Sequence, residues 1–153
     1  MVKKSLKLCL EKDMRRFVKN EVKEVSDPAK REALMENMLR MGNIMVERVL
    51  SKAVQLDNLH GVQPQTKVYR SIYREVRSVL GSESDVLGVY QHENRNSPFL
   101  YRLIAVRPSP THPGHDECII WVYNETTESL GYGRYGLTCE QAVGVLFTRY
   151  FTA

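Results

Sequence analysis

Four cations recur at helical spacing in one short segment, Lys67, Arg70, Arg74 and Arg77 in KVYRSIYREVRSVL. On a helix these positions fall within an arc of about 80°. Val68, Ile72, Val76, Val79 and Leu80 gather on the opposite side, and Glu75 is the one acid of the segment. The chemistry such a face could do is polyanion recognition. A phosphate backbone presents anions at regular intervals, and each neutralised phosphate releases condensed counterions. Arg suits this role because its planar guanidinium grips phosphate bidentately and stacks on bases. Tyr69 and Tyr73 flank the stripe one turn apart. Aromatic rings beside guanidinium planes are what single-stranded RNA recognition uses.

A second stripe lies near the N-terminus. Lys12, Arg15, Arg16, Lys19 and Lys23 fall within an arc of about 100° on a helix, and Glu11, Asp13, Glu21 and Glu24 lie outside it. Like charges four residues apart repel, by a few tenths of a kcal/mol each in an isolated helix. A face that serves only solubility more often mixes signs. A solvated face, or one docked on the acidic second half of the chain, is the competing reading.

Other residues offer weaker chemistry. His112, His115 and Cys118, with Asp116 and Glu117, hold zinc-type ligand atoms. Two His three apart across Pro-Gly, with no second pair to complete four ligands, make an incomplete set, so no metal or other cofactor is expected. Asp85, Asp116 and Glu117 could hold Mg²⁺ for a nuclease, but nothing in their spacing selects them. The chain has no Walker loop, GxGxxG, GxSxG or HExxH motif. Trp121 and Tyr123 share one strand face and are expected in the core rather than on a base-stacking platform. GYGRYG at 131–136 has the composition of an RNA-contacting loop, although a glycine-rich turn is the commoner use. Met35, Met38, Met41 and Met45 could line an adaptable groove, and core packing is the expectation for them.

Behind these residues stands a chain of 153 residues, 42% hydrophobic and 26% charged, enough for one compact domain over 1–153. The net charge of +4 is unevenly divided. Residues 1–80 hold 17 Lys and Arg against 10 Asp and Glu, whereas residues 81–153 hold 5 against 8. Such asymmetry is a statement about partners. No apolar run approaches the roughly 18 residues of a membrane span. The apolar start of the chain is broken by Lys7, Glu11 and Lys12 and lacks a signal-peptide cleavage site. The three cysteines, at 9, 118 and 139, suggest no disulfide framework. A cytoplasmic protein is expected.

The elements that must position these residues follow from periodicity. A first helix is predicted over 3–25, with Leu6, Leu10, Met14, Phe17, Val18, Val22 and Val25 as its apolar side. Asp27 and Pro28 cap and open a second helix over about 28–56. That helix is apolar on more than one side, so a central position is expected. The short link favours a helical hairpin. The segment 57–65 reads as a loop, and Thr66 as the cap of the basic helix that ends at Gly81. Strands are predicted at 86–91, 99–106 and 118–123, with ENRNSP as a hairpin tip, 107–116 as a proline-rich loop and 130–136 as a turn or short edge strand. Thr138 and Gln141 have the spacing of a capping box opening a last helix.

The expected fold is α+β: a helical hairpin, a basic amphipathic helix, a three- or four-stranded antiparallel sheet and a C-terminal helix. The expected function is non-enzymatic nucleic-acid binding, with RNA or single strands favoured, through the two cationic faces. A basic helix before a β-hairpin also has part of the order of a winged helix-turn-helix, which would imply duplex DNA. The long second helix and the long turn at 57–65 depart from that order. An adaptor or inhibitor docking its basic helices on an acidic protein is the alternative, and a metal-dependent nuclease the third.

Overall fold

A computed structural model describes residues 4–92 and 96–151. Residue 3 of the first expected helix and residues 93–95 of the expected ENRNSP tip lie outside the described residues. The elements run α1 (Lys4–Val22), α2 (Pro28–Leu59), α3 (Lys67–Leu80), β1 (Asp85–Gln91), β2 (Leu100–Pro108), β3 (Asp116–Asn124), β4 (Ser129–Leu137) and α4 (Cys139–Phe151). The expected α+β order is the observed one.

Local chemistry sets the boundaries. The Asp27 carboxylate accepts from the N–H of Ala29, and Pro28 follows as the first helical residue. The Thr66 hydroxyl accepts from the N–H of Tyr69 and so opens α3. Gly81 ends α3 at φ +99°, a conformation that costs a glycine little. Thr138 and Gln141 bond reciprocally as a capping box: the N–H of Gln141 donates to the Thr138 hydroxyl, and the N–H of Thr138 donates to the Gln141 side chain. α2 runs through Leu59, about one turn beyond its predicted end, which shortens the expected loop. β4 is a full edge strand of 9 residues rather than a turn.

The four strands form an antiparallel meander in the order β1-β2-β3-β4. Leu103 faces Trp121 and Ile104 faces Ile120 across β2 and β3. The strands carry near-continuous apolar runs, VLGVY, LIAV and CIIWVY. Runs without polar alternation need cover on both faces of a sheet, and both faces are covered. On one side Leu87, Tyr90, Ile104, Cys118 and Ile120 pack with α1, α2 and α4. On the other Val86, Val89, Tyr101, Leu103, Ala105, Ile119, Trp121 and Tyr123 pack with α3. The molecule is therefore a three-layer sandwich, with α3 alone on its side of the sheet.

One expectation about α2 is corrected by its burial. It is not a central helix, because its buried residues are confined to 42–56. Leu34, Met41, Ile44 and Met45 are exposed. α2 packs on α1, and before Gly42 it has no buried residue. The two helices meet closely at Gly42, where an added Cβ would stand 2.6 Å from Met14 Cγ and Sδ.

Candidate functional site

Tyr69, Ile72 and Val76 of α3 are buried on the sheet. This fixes the rotation of the helix. Lys67, Arg70 and Arg74 consequently point outward and are exposed. None of the three takes part in an ion pair among the described residues. Arg77 is different. It donates to the Tyr73 hydroxyl at 2.6 Å, lies 5.4 Å from the centre of that ring, and also binds the Ser82 carbonyl. Tyr73 is half-buried beneath it.

Tyr69 requires a correction. It was expected to stack on a base, yet it is only 6% exposed and its hydroxyl points to the Val86 carbonyl at 3.4 Å. Its position between Val68 and Arg70 leaves it on the sheet side of the helix, and the ring is a core residue. Trp121 and Tyr123 are buried under the same helix, as the core reading of the strand aromatics expects. An exposed aromatic does remain on this side of the sheet. Tyr135 of β4 is 50% exposed, meets Trp121 edge-on at 5.7 Å, and has the Arg107 guanidinium 5.7 Å from its ring centre. The GYGRYG segment was the one sequence signal for it.

The cations of α1 lie on the opposite side of the sheet from α3, so the two stripes do not form one surface. Two of the five are also paired among the described residues. Lys12 pairs with Asp116 at 3.0 Å and Arg15 with Glu11 at 3.6 Å. Arg16 is half-buried, and its Nη1 is buried without a hydrogen-bond partner. Lys19 and Lys23 are exposed. Of this stripe, Lys12 is held by a distant element and Arg15 by its own helix.

The loop considered for metal-assisted hydrolysis is dispersed in the same way. His112 and His115 are exposed, whereas Cys118 is buried. Asp116 is neutralised by Lys12, and Glu117 by Arg107 at 2.8 Å. The methionines are corrected too: Met38, Met41 and Met45 do not fill the core but line an apolar groove of about 400 Å³ with Leu10, Met14 and Phe17.

A site that sequence reasoning missed lies under α1. Cys9 from α1, Cys118 from β3 and Cys139 at the start of α4 bring their three sulfurs within 4.8 Å of one another. All three side chains are buried. The sulfurs of Cys9 and Cys139 stand 2.50 Å apart, within disulfide reach, and Cys118 is the third thiol, 2.8 Å from Cys139 Sγ. With 130 residues between Cys9 and Cys139, no spacing in the chain could announce the meeting. Hydrogen bonds from Cys118, then Cys139, hold the Cys9 thiol down to about 4 against the opposing effect of burial. Hydrogen bonding with Cys118 and Cys9, then burial, pushes Cys139 far up. Beside the thiols, burial and then charge at Cys9 and Asp116 raise Asp13 to about 6, against the lowering effect of the Cys139 backbone.

Compared with protein-family models, curated proteins and solved structures, the chain finds no match in any of the three. Among the described residues, no helix is long and apolar enough to cross a membrane.

Proposed function

We propose that the chain is a cytoplasmic, non-enzymatic protein that binds single-stranded nucleic acid, RNA foremost, through the outer face of α3. One observation carries this reading: Lys67, Arg70 and Arg74 are exposed in a row and take part in no ion pair among the described residues, whereas Asp116 and Glu117 of the acidic half hold other cations. Lys67 to Arg74 spans about 10 Å along the helix axis. Successive phosphates of a stacked strand advance about 3.4 Å, so the row can meet about three of them. The Tyr73–Arg77 and Tyr135–Arg107 pairs supply aromatic and guanidinium planes on the same side of the sheet. Single strands are favoured over duplex DNA because their bases are free to stack on such planes. The exposed Lys19 and Lys23 of α1 belong to a separate surface.

Fluorescence anisotropy with labelled single-stranded RNA, single-stranded DNA and duplex DNA tests this reading. Binding should weaken with salt, and Arg70→Gln with Arg74→Gln should flatten the log–log slope by about 1.4. Excess unlabelled RNA should compete, and polyglutamate of equal charge should compete poorly. Better competition by polyglutamate would favour an acidic protein partner on this face. No binding of any oligonucleotide at low salt would reject the nucleic-acid reading.

A further inference from the structure

We propose that Cys9, Cys118 and Cys139 form a binding site for a thiophilic divalent metal ion of the zinc class, with Asp13 as the fourth donor. The three are all the cysteines of the chain. They come from three different elements, two of them separated by 130 residues, and converge on one buried point. Tetrahedral thiolates at a metal–sulfur distance of about 2.3 Å lie about 3.8 Å apart. The three sulfurs are gathered within 4.8 Å of one another, on the scale of that arrangement.

The surroundings fit a cation held by thiolates better than a neutral disulfide beside a spare thiol. Cys139 is the first residue of α4, where the helix dipole offsets part of the cost of a negative sulfur. At Cys9 the positive charge of Lys12 opposes the negative charge of its partner Asp116. Arg16 adds positive charge at Asp13 and keeps one guanidinium nitrogen buried without a partner. A disulfide carries no charge for these groups to stabilise. Asp13 stands one helical turn after Cys9, so the two side chains lie on the same face of α1. A half-buried carboxylate near the Cys9 sulfur is unfavourable by itself, and a bound cation removes that cost. A disulfide uses two of the three sulfurs, whereas a metal ion uses all of them. Three thiolates and one carboxylate select zinc-class ions over Mg²⁺ or Ca²⁺, which prefer oxygen.

The test uses the full chain purified under reducing conditions without chelator. Elemental analysis should find one equivalent of zinc per chain. Replacement by Co²⁺ should give the intense thiolate-to-cobalt charge-transfer absorption of a tetrahedral sulfur site. A thiol reagent should leave all three cysteines unmodified until a strong chelator is added. Asp13→Asn should keep the charge-transfer band and weaken metal affinity by roughly tenfold or more. An unchanged affinity would remove Asp13 as a donor. Cys118→Ser should end stoichiometric binding, and the thiol-protection measurement on the unaltered chain decides the matter if that variant fails to fold. The proposal is overturned if reduced protein takes up neither zinc nor cobalt, or if thiol reactivity is the same with and without chelator. It is equally overturned if peptide mapping finds a Cys9–Cys139 disulfide with Cys118 alone reactive.

Discussion

α1 and α3 are both amphipathic and both basic, yet among the described residues Lys12 and Arg15 of α1 are held in ion pairs, whereas Lys67, Arg70 and Arg74 of α3 are not. α3 is 14 residues long and rests on one sheet face, so one apolar stripe determines its whole orientation. α1 meets α2, α4 and the start of β3, and its Lys12 is drawn into those contacts. Its Lys12 reaches Asp116, which is 104 residues away. Its Phe17, expected in the core, is 59% exposed. A helical wheel locates the solvent face of a helix when one neighbour covers it. With several neighbours, charge and exposure separate.

The largest expected effect breaks the contrast at its base. Ile72 is fully buried against the sheet. Ile72→Asp should cost about 3 kcal/mol or more, because an unpaired carboxylate enters the core. Phe17→Ser on α1 should stay within about 0.5 kcal/mol, as an exposed site does. Urea denaturation of both variants measures the difference, and equal losses would mean that α1 is packed as tightly as α3.

Next in size is Tyr69. Truncation to Ala should lower stability by about 3 kcal/mol, as loss of a buried aromatic does. Tyr69→Phe should cost about 1 kcal/mol or less, since its hydroxyl contact to Val86 is long. If Tyr69→Ala instead lowers RNA affinity at unchanged melting temperature, the ring is a stacking residue and its burial is transient.

A third comparison concerns binding. Arg70→Gln with Arg74→Gln should weaken oligonucleotide affinity at least tenfold at low salt, through the loss of two phosphate contacts. Lys19→Gln with Lys23→Gln, on the other side of the sheet, should change it by less than about twofold. Equal effects from the two pairs would show that long-range charge, not the α3 surface, governs binding.

The smallest effect is one of pH. His92 has its pKa lowered from 6.5 by burial, then by Arg102 and Arg149. The folded state therefore favours the neutral ring. Its contribution to stability is complete above the unfolded value of 6.5 and declines as pH falls through it. The melting temperature should drop slightly between about pH 7.5 and about pH 5.5, and His92→Gln should reduce that drop. An unchanged pH profile in the variant would assign the drop to other groups.

Most of the secondary structure was legible because its causes are local. Asp27-Pro28, Thr66, Gly81 and the Thr138–Gln141 pair act within one turn of where they stand. The stripe on α3 was legible for the same reason, since one helical period and one buried face suffice to orient it. Even the burial of Tyr69 was within reach, because it stands beside Ile72 and Val76 on the helical wheel. By contrast, the layer order depended on which side of the sheet each helix crossed to, and periodicity carries no sign for that choice. The only trace of it was the unbroken apolar character of the strands, which demanded cover on both faces. The pairing of Lys12 with Asp116 and the meeting of Cys9, Cys118 and Cys139 were decided by the tertiary structure alone. Each joins residues more than 100 positions apart, and such contacts come from packing α1 and α4 against β3, not from any spacing along the chain.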